Sequence, residues 1–195
     1  MELIVVRHGL PETVVRSDGA PADAPLNATG RQQAERVATW LRAERIDAVY
    51  SSPLRRARET AMPLAALHGH TVAIHEGVAE YDRDSSLYIP MEDLKRANYE
   101  EWRRVMSGKL FAEDPADFRA GVAAAMEEII AANRGRRVVV FCHGGVINAW
   151  ASHVLGTREV FFFDPTYTSI NRFMAATTGE RSVISLNEAA HLRDL

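Results

Sequence analysis

The chain has 195 residues, 47% hydrophobic and 25% charged, with a formal net charge of -3 and one cysteine, Cys142. That length buries a full core in one domain, residues 1–195, without disulfides or metal, and no apolar run approaches a membrane span. The acidic balance excludes a nucleic-acid-coating protein, the lone Cys142 fits a reducing compartment, and acidic Glu2 directly after Met1 is no export signal, so a cytoplasmic protein without nucleic-acid or membrane partners is expected.

Leu3, Ile4, Val5 and Val6 read as a buried strand that runs into Arg7, His8 and Gly9. In open α/β sheets ligands bind at the carboxyl ends of strands. A cation beside a nucleophilic ring, with a glycine that lets backbone approach closely, suits a transferable phosphoryl group. With a net negative charge, an anion has to be held by a local cluster of arginines.

Residues 10–28 carry Pro11, Gly19, Pro21 and Pro25 and read as a long loop, of the kind that is often functional. Thr29 and Gln32 have capping-box spacing, with Ala34, Val37, Ala38 and Leu41 at helical intervals, which predicts a helix over about 30–44. Ala48, Val49 and Tyr50 make a second strand ending in Ser51 and Ser52. Ser52 as N-cap and Pro53 as first helical residue predict a helix to about residue 67, closed by Gly69. Its buried face is Leu54, Ala57, Ala61 and Leu64, and Arg55, Arg56 and Arg58 divide between solvent and the ligand end of the sheet. Three cations in a first helical turn, where the dipole already favours anions, call for a negative partner.

Val72, Ala73 and Ile74 form a third strand leading to Glu80, Tyr81 and Asp82. His68, His70 and His75 crowd together in sequence, but a polar surface turn is the better reading than a metal site, because no cysteine or carboxylate pattern completes a ligand set. Residues 83–113, with Pro90, Leu94, Tyr99, Trp102, Val105 and Met106, break the strand–helix rhythm and read as an inserted helical segment over the site. Asp114 and Pro115 open a helix with Phe118, Val122, Ala125 and Ile129 on one face and Gly135 as its stop. A strong strand over 138–141 then runs into Cys142, His143, Gly144 and Gly145, and a helix with Val146, Ile147, Trp150 and Val154 ends at Gly156. Two strands therefore end in histidine and glycine, and neighbouring parallel strands would bring His8 and His143 to one ligand. Phe161, Phe162 and Phe163 fit core or pocket wall, and 168–186 predicts one or two closing strands.

Arg7-His8-Gly9, Leu26-Asn27-Ala28-Thr29-Gly30 with Gln33-Ala34, Ser51-Ser52-Pro53-Leu54-Arg55-Arg56-Ala57 with Thr60-Ala61, Glu80, and His143-Gly144 recur in an order that resembles the histidine phosphatase superfamily, in its phosphoglycerate mutase-like branch. The resemblance covers almost the whole chain. It implies an α/β three-layer sandwich, with a mostly parallel central sheet flanked by helices and a helical insertion over the active site.

By the same resemblance, His8 is the phosphate-accepting nucleophile, Arg7 and Arg56 clamp the phosphate, Glu80 is the proton donor and His143 is the second histidine of the phosphate pocket. Gly144 offers a backbone N–H to the same anion, and neither metal nor organic cofactor is required. The physical demands agree: Arg7 and Arg56 should favour neutral His8 by like-charge repulsion, a carbonyl near Gly9 should fix its tautomer, and Glu80 needs a pKa raised by burial or by Asp82. Leu10 and Val14 stand where mutases of the family carry an acidic residue and a phosphate-reaching Asn. The expected activity is therefore metal-independent hydrolysis of a small phosphomonoester. A phosphoglycerate mutase-like phosphotransferase and a non-catalytic phospholigand-binding relative are the alternatives, and a homodimer stays open. Tyr81, Arg83, Tyr88 and Trp102 are candidates for substrate contact, with Arg55 and Arg58 for the surface or the rim of the site.

Overall fold

The structure, a computed structural model, describes residues 1–106 and 114–195. In chain order its elements are β1 (Glu2–Arg7), β2 (Val14–Val15), α1 (Ala28–Leu41), β3 (Ala48–Ser51), α2 (Arg55–His68), β4 (Val72–Ile74), a 3₁₀ turn (Glu76–Val78) and β5 (Leu87–Tyr88). There follow α3 (Met91–Ala97), α4 (Tyr99–Met106), α5 (Pro115–Ala132), β6 (Arg137–Cys142), α6 (Gly144–Leu155), β7 (Ile170–Ala175), β8 (Arg181–Glu188) and a terminal 3₁₀ turn (Ala190–Leu192).

The main sheet has the order β4-β3-β6-β1-β7-β8. β4, β3, β6 and β1 are parallel, whereas β7 runs antiparallel to both β1 and β8. Strand alternation sorts the core into two halves. Leu3, Val5, Val138 and Val140 pack with α5 and α6 through Val122, Met126, Ile129 and Trp150. Ile4, Val6, Val139 and Phe141 pack with α1 and α2 through Val37, Leu41 and Leu64. Strands covered on both faces explain why β1 and β6 are uninterrupted apolar runs. Among the described residues, no helix is long and apolar enough to cross a membrane.

Four helix ends differ from expectation, each for a local reason. α1 starts earlier than expected because Asn27, not Thr29, accepts the Gly30 N–H (2.8 Å). It also stops earlier, since Arg42 and Glu44 bond back only to Thr39 and Leu41 in tighter turns. α2 starts at Arg55 behind Leu54, which gives no side-chain cap. The Ser52 hydroxyl accepts the Leu54 N–H at 3.2 Å and also lies 2.7 Å from His143 Nε2. α5 opens on Asp114 as expected but ends at Asn133, ahead of Gly135, because the Asn133 amide donates to Ile129 O and Tyr50 Oη.

The insertion after residue 82 supplies β5, α3 and α4. β5 pairs with β2 from the loop leaving β1, so the two irregular segments of the chain are joined to one another. Residues 107–113 of the expected insertion, and the packing expected of the Val105 and Met106 side chains, lie outside the described residues.

Candidate active site

Register makes the site. β1 and β6 pair with Arg7 opposite Cys142, and the His8 N–H donates to the Cys142 carbonyl at 2.9 Å, so the residues that follow each strand emerge side by side. The His8 and His143 rings have centroids 5.1 Å apart. Both are buried, at 2% and 0% exposure.

His8 Nδ1 lies 2.8 Å from the Gly9 carbonyl oxygen. A carbonyl only accepts, so Nδ1 carries the proton and Nε2 keeps its lone pair. Burial holds the His8 pKa well below 6.5, with Arg56 and then Arg7 adding to it. The expectation that the arginines keep this ring neutral is right in sign, yet loss of hydration is the larger cause. His143 is depressed in the same way, by burial first and then by Arg56, His8 and Arg7. Its Nε2 faces Ser52 Oγ, and its buried Nδ1 has no hydrogen-bond partner among the described residues.

The loop after β1 is held by short local bonds. Thr60 Oγ1 accepts the Gly9 N–H (2.9 Å) and donates to the Arg56 carbonyl (2.7 Å), which locks the loop after β1 to the first turn of α2. Gln33 Oε1 accepts the Leu10 N–H at 2.8 Å. A Cβ on Gly30 would lie 2.0 Å from the Leu10 carbonyl oxygen, so only glycine lets α1 approach this closely.

Arg7 and Arg56 are buried at 4% and 2% exposure. The Arg7 guanidinium stacks on Tyr167, 3.9 Å from the ring centroid, and donates to the Pro165 carbonyl. Arg56 lies over Tyr88 at 4.4 Å and donates to Asp82 Oδ1 at 3.1 Å, while its buried Nε has no protein partner among the described residues. Fixed, stacked guanidinium forks of this kind match the geometry of a tetrahedral oxyanion.

Glu80 is buried opposite them. Its carboxylate accepts N–H bonds from Gly145 (2.9 Å) and Tyr81 (3.2 Å). Burial and the neighbouring Asp82 charge nevertheless raise its pKa from 4.5 to about 7, against those bonds and Arg56. Both conditions expected for a carboxyl that donates near neutrality are present. Gly144 opens α6 beside Arg7 and lines the same cavity, whereas the Gly145 N–H is taken by Glu80.

Other candidates separate. Tyr81 and Tyr88 line the cavity with Arg7, His8, Arg56 and Glu80. Arg83 instead pairs with Glu76 (2.7 Å), and Trp102 stacks on Tyr99. Arg55 bonds Glu59 (2.6 Å), and Arg58 sits with Met62 and Val72 away from the histidines. Phe161 and Phe163 are pocket wall, while Phe162 is 40% exposed. His70 meets the Ile46 carbonyl and His75 faces Glu128. Among the described residues, no group of three or more His, Cys, Asp or Glu is placed to hold a metal ion.

Two contributors escaped the sequence reading. Asn148, in the middle of the apolar α6, donates to the carbonyls of Gly144 and Phe163 and accepts from the N–H groups of Phe162 and Phe163, pinning the 161–165 wall over the helix. An amide in a buried helix has to find partners, and that was a legible signal. Tyr167 carried none. It reaches His8 (centroids 5.6 Å) because buried Thr168 adopts a left-handed backbone, φ 55°, and donates its N–H to the His8 carbonyl. Thr168 Oγ1 lies 3.2 Å from His191 Nε2, which ties that strained residue to the terminal turn.

Comparison with known proteins supplies the relatives of this arrangement. The chain is 32% identical over 157 residues to phosphoglycerate mutase-like protein 4 of Arabidopsis thaliana, covering 76% of this chain and 68% of that one. It is 28% identical to phosphoserine phosphatase 1 of Hydrogenobacter thermophilus, over 98% of this chain and 94% of the relative. The fold is similar to that of a mutant phosphoserine phosphatase of Entamoeba histolytica solved with phosphoserine, with a TM-score of 0.75, 24% identity and 98% of each chain covered. Residues 3–188 match the family profile described as histidine phosphatase superfamily (branch 1), and the chain belongs to that family.

Proposed function

We propose that this protein is a phosphomonoester hydrolase that works through a phosphohistidine on His8. The observation that carries the reading is the pairing of the His8 and His143 rings, 5.1 Å apart, beside the buried Arg7 and Arg56. Phosphoryl transfer passes through a loose transition state whose charge spreads over the equatorial oxygens, so alignment and fixed positive groups do most of the catalysis.

In the first step His8 Nε2 attacks phosphorus, the ester P–O bond breaks, and Glu80 gives its proton to the leaving alkoxide. Arg7, Arg56, His143 and the Gly144 N–H hold the phosphoryl oxygens. In the second step water attacks the phosphohistidine, the Glu80 carboxylate takes its proton, and the P–N bond breaks to release phosphate with His8 neutral again. The pKa of about 7 suits Glu80 to both directions of transfer. The substrate is a small phosphorylated molecule, and the insertion over the site covers it by contributing Tyr88 and Met91 to the pocket wall. Hydrolysis is favoured over phosphoryl retention by Leu10 and Val14, which place no further polar group where the mutase pattern has an acid and an Asn.

Incubation with p-nitrophenyl phosphate in excess chelator tests this directly. Phosphate release unaffected by the chelator, with acid-labile and base-stable label trapped on His8, is expected, and His8→Ala abolishes both. Release that needs added metal, or that survives loss of His8, would refute the mechanism. Interconversion of phosphoglycerate isomers faster than hydrolysis would make the enzyme a mutase.

A further inference from the structure

The cavity has two ends of opposite character. One is the anion end just described. The other is walled by Tyr81, Met91, Phe161 and Phe163, with Tyr88 under Arg56 between the two, and the open volume, mouth included, is about 590 Å³. Clefts of that size enclose a small organic molecule rather than a phosphate alone. The aromatic wall is braced from behind: Tyr81 meets Phe161 and Phe118 edge-on, with centroids 6.2 and 6.0 Å away, and Phe161 stacks on Phe118 at 6.5 Å.

Charge is distributed unevenly along the cavity. Among the described residues, Arg7 and Arg56 are its lining cations, and both belong to the anion end. The remaining charged lining groups, Glu80, Asp82 and Asp164, are acidic. Asp82 is paired with Arg56, and Asp164 stands 4.0 Å from Arg7 with its side chain half exposed. The Asn148 amide is directed to backbone partners, and the Tyr81 and Tyr88 phenols carry no charge, since burial pushes both pKa values up. A carboxylate carried next to the phosphate would lose its hydration against aromatic rings and face acids, and among the described lining residues the cations are Arg7 and Arg56, already engaged by the phosphate. A ring or alkyl chain would exchange water for the same rings at no such cost.

We propose that this site selects phosphomonoesters of uncharged, apolar or aromatic alcohols and discriminates against esters that carry a carboxylate beside the phosphate, such as phosphoserine and 3-phosphoglycerate. The proposal rests on the hydrolase reading above for its reaction, and on the distal wall for its selectivity.

The test compares 2-phenylethyl phosphate with phosphoserine and 3-phosphoglycerate, all esters of alkyl alcohols, so that leaving-group acidity does not decide the outcome. A kcat/KM at least about 30-fold higher for the phenylethyl ester is expected, the scale at which a pocket built for one side chain rejects another. Phe161→Ala should narrow that ratio by roughly tenfold. Equal or higher kcat/KM for either carboxylated ester, or a ratio unmoved by Phe161→Ala, overturns the proposal. A binding measurement separates selectivity from chemistry. In calorimetry, His8→Ala protein should bind 2-phenylethylphosphonate more tightly than 3-phosphonopropionate. The reverse order removes the selectivity whatever the turnover. Retention of that order with no ester hydrolysed by the unaltered enzyme removes the hydrolase reading and leaves the pocket assignment standing.

Discussion

At the scale of single residues, Glu80 shows how environment sets a role. Its carboxyl pKa is held at about 7 by burial and by Asp82, which suits it to both the acid and the base step of the proposed cycle. Because the donor form is lost as pH rises through about 7, kcat/KM for an alkyl phosphate should fall above that pH. Glu80→Gln should lower kcat/KM for an alkyl ester by about 100- to 10,000-fold and flatten the profile, yet cost p-nitrophenyl phosphate, whose leaving group needs no proton, less than about tenfold. Equal losses on both substrates would exclude the acid role. Stability carries the same signature. A carboxyl whose folded pKa is raised from 4.5 to about 7 binds its proton more tightly when folded, so its contribution is fully present below 4.5 and is lost as pH rises to 7. Urea melts of the unaltered protein and Glu80→Gln at pH 5 and pH 8 should differ in their pH dependence by about 2 to 3 kcal/mol, the variant lacking that loss. The role expected of Glu80 came from a motif, but the raised pKa had to come from packing, since Asp82 and burial act through space.

At the scale of elements, β1 and β6 were legible because strands covered on both faces must be continuously apolar. Helix ends were less so. Ser52 accepts the Leu54 N–H as its capping chemistry predicts, yet the same hydroxyl also meets His143, a residue far along the chain. A capping hydroxyl can serve a second partner, and only tertiary structure brings the distant one to it. Close approach of elements was hidden too. A Cβ on Gly145 would lie 2.2 Å from Glu80 Oε1, so the first turn of α6 and the carboxyl are in contact through a missing side chain. Gly145→Ala should displace Glu80 and lower kcat/KM for alkyl esters by about 100-fold, the penalty for misplacing a reacting group by an ångström. Far-UV circular dichroism should be unchanged, and full activity would show that Glu80 has room to move.

At the scale of the whole molecule, the site is assembled from the ends of β1 and β6, the start of α2, the turn at Glu80 and the 161–168 segment. The opposite end of the sheet is tied separately. Arg172 on β7 bonds Glu2 on β1 and Glu44 after α1, and Arg137 on β6 bonds Glu2. In the proposed reading, a bound anion would cross-link the carboxyl end of the sheet as these ion pairs cross-link the other. Inorganic phosphate at a hundred times its Kd should stabilise the fold by about 2.7 kcal/mol. For a chain of this size that raises Tm by roughly 5–11 °C. Arg56→Lys, which keeps the charge but loses the fork, should reduce the shift measured by scanning calorimetry. No shift, or the same shift in the variant, would show that phosphate is not held by these groups.

Sequence by itself determined the strands of the main sheet, the order of the motifs, and the residue types that phosphoryl chemistry demands, because those depend on local periodicity and on what side chains are. The short β2 and β5 pair fell in segments that read as loop and helix. Tertiary structure alone decided that strands separated by most of the chain lie in parallel register with His8 beside His143, that Thr168 turns Tyr167 onto them, and that the far wall is aromatic and lacks a cation among the described residues. The reason is physical. Burial, electrostatic coupling and shape are properties of groups brought together in space, and chain order constrains them only through the fold.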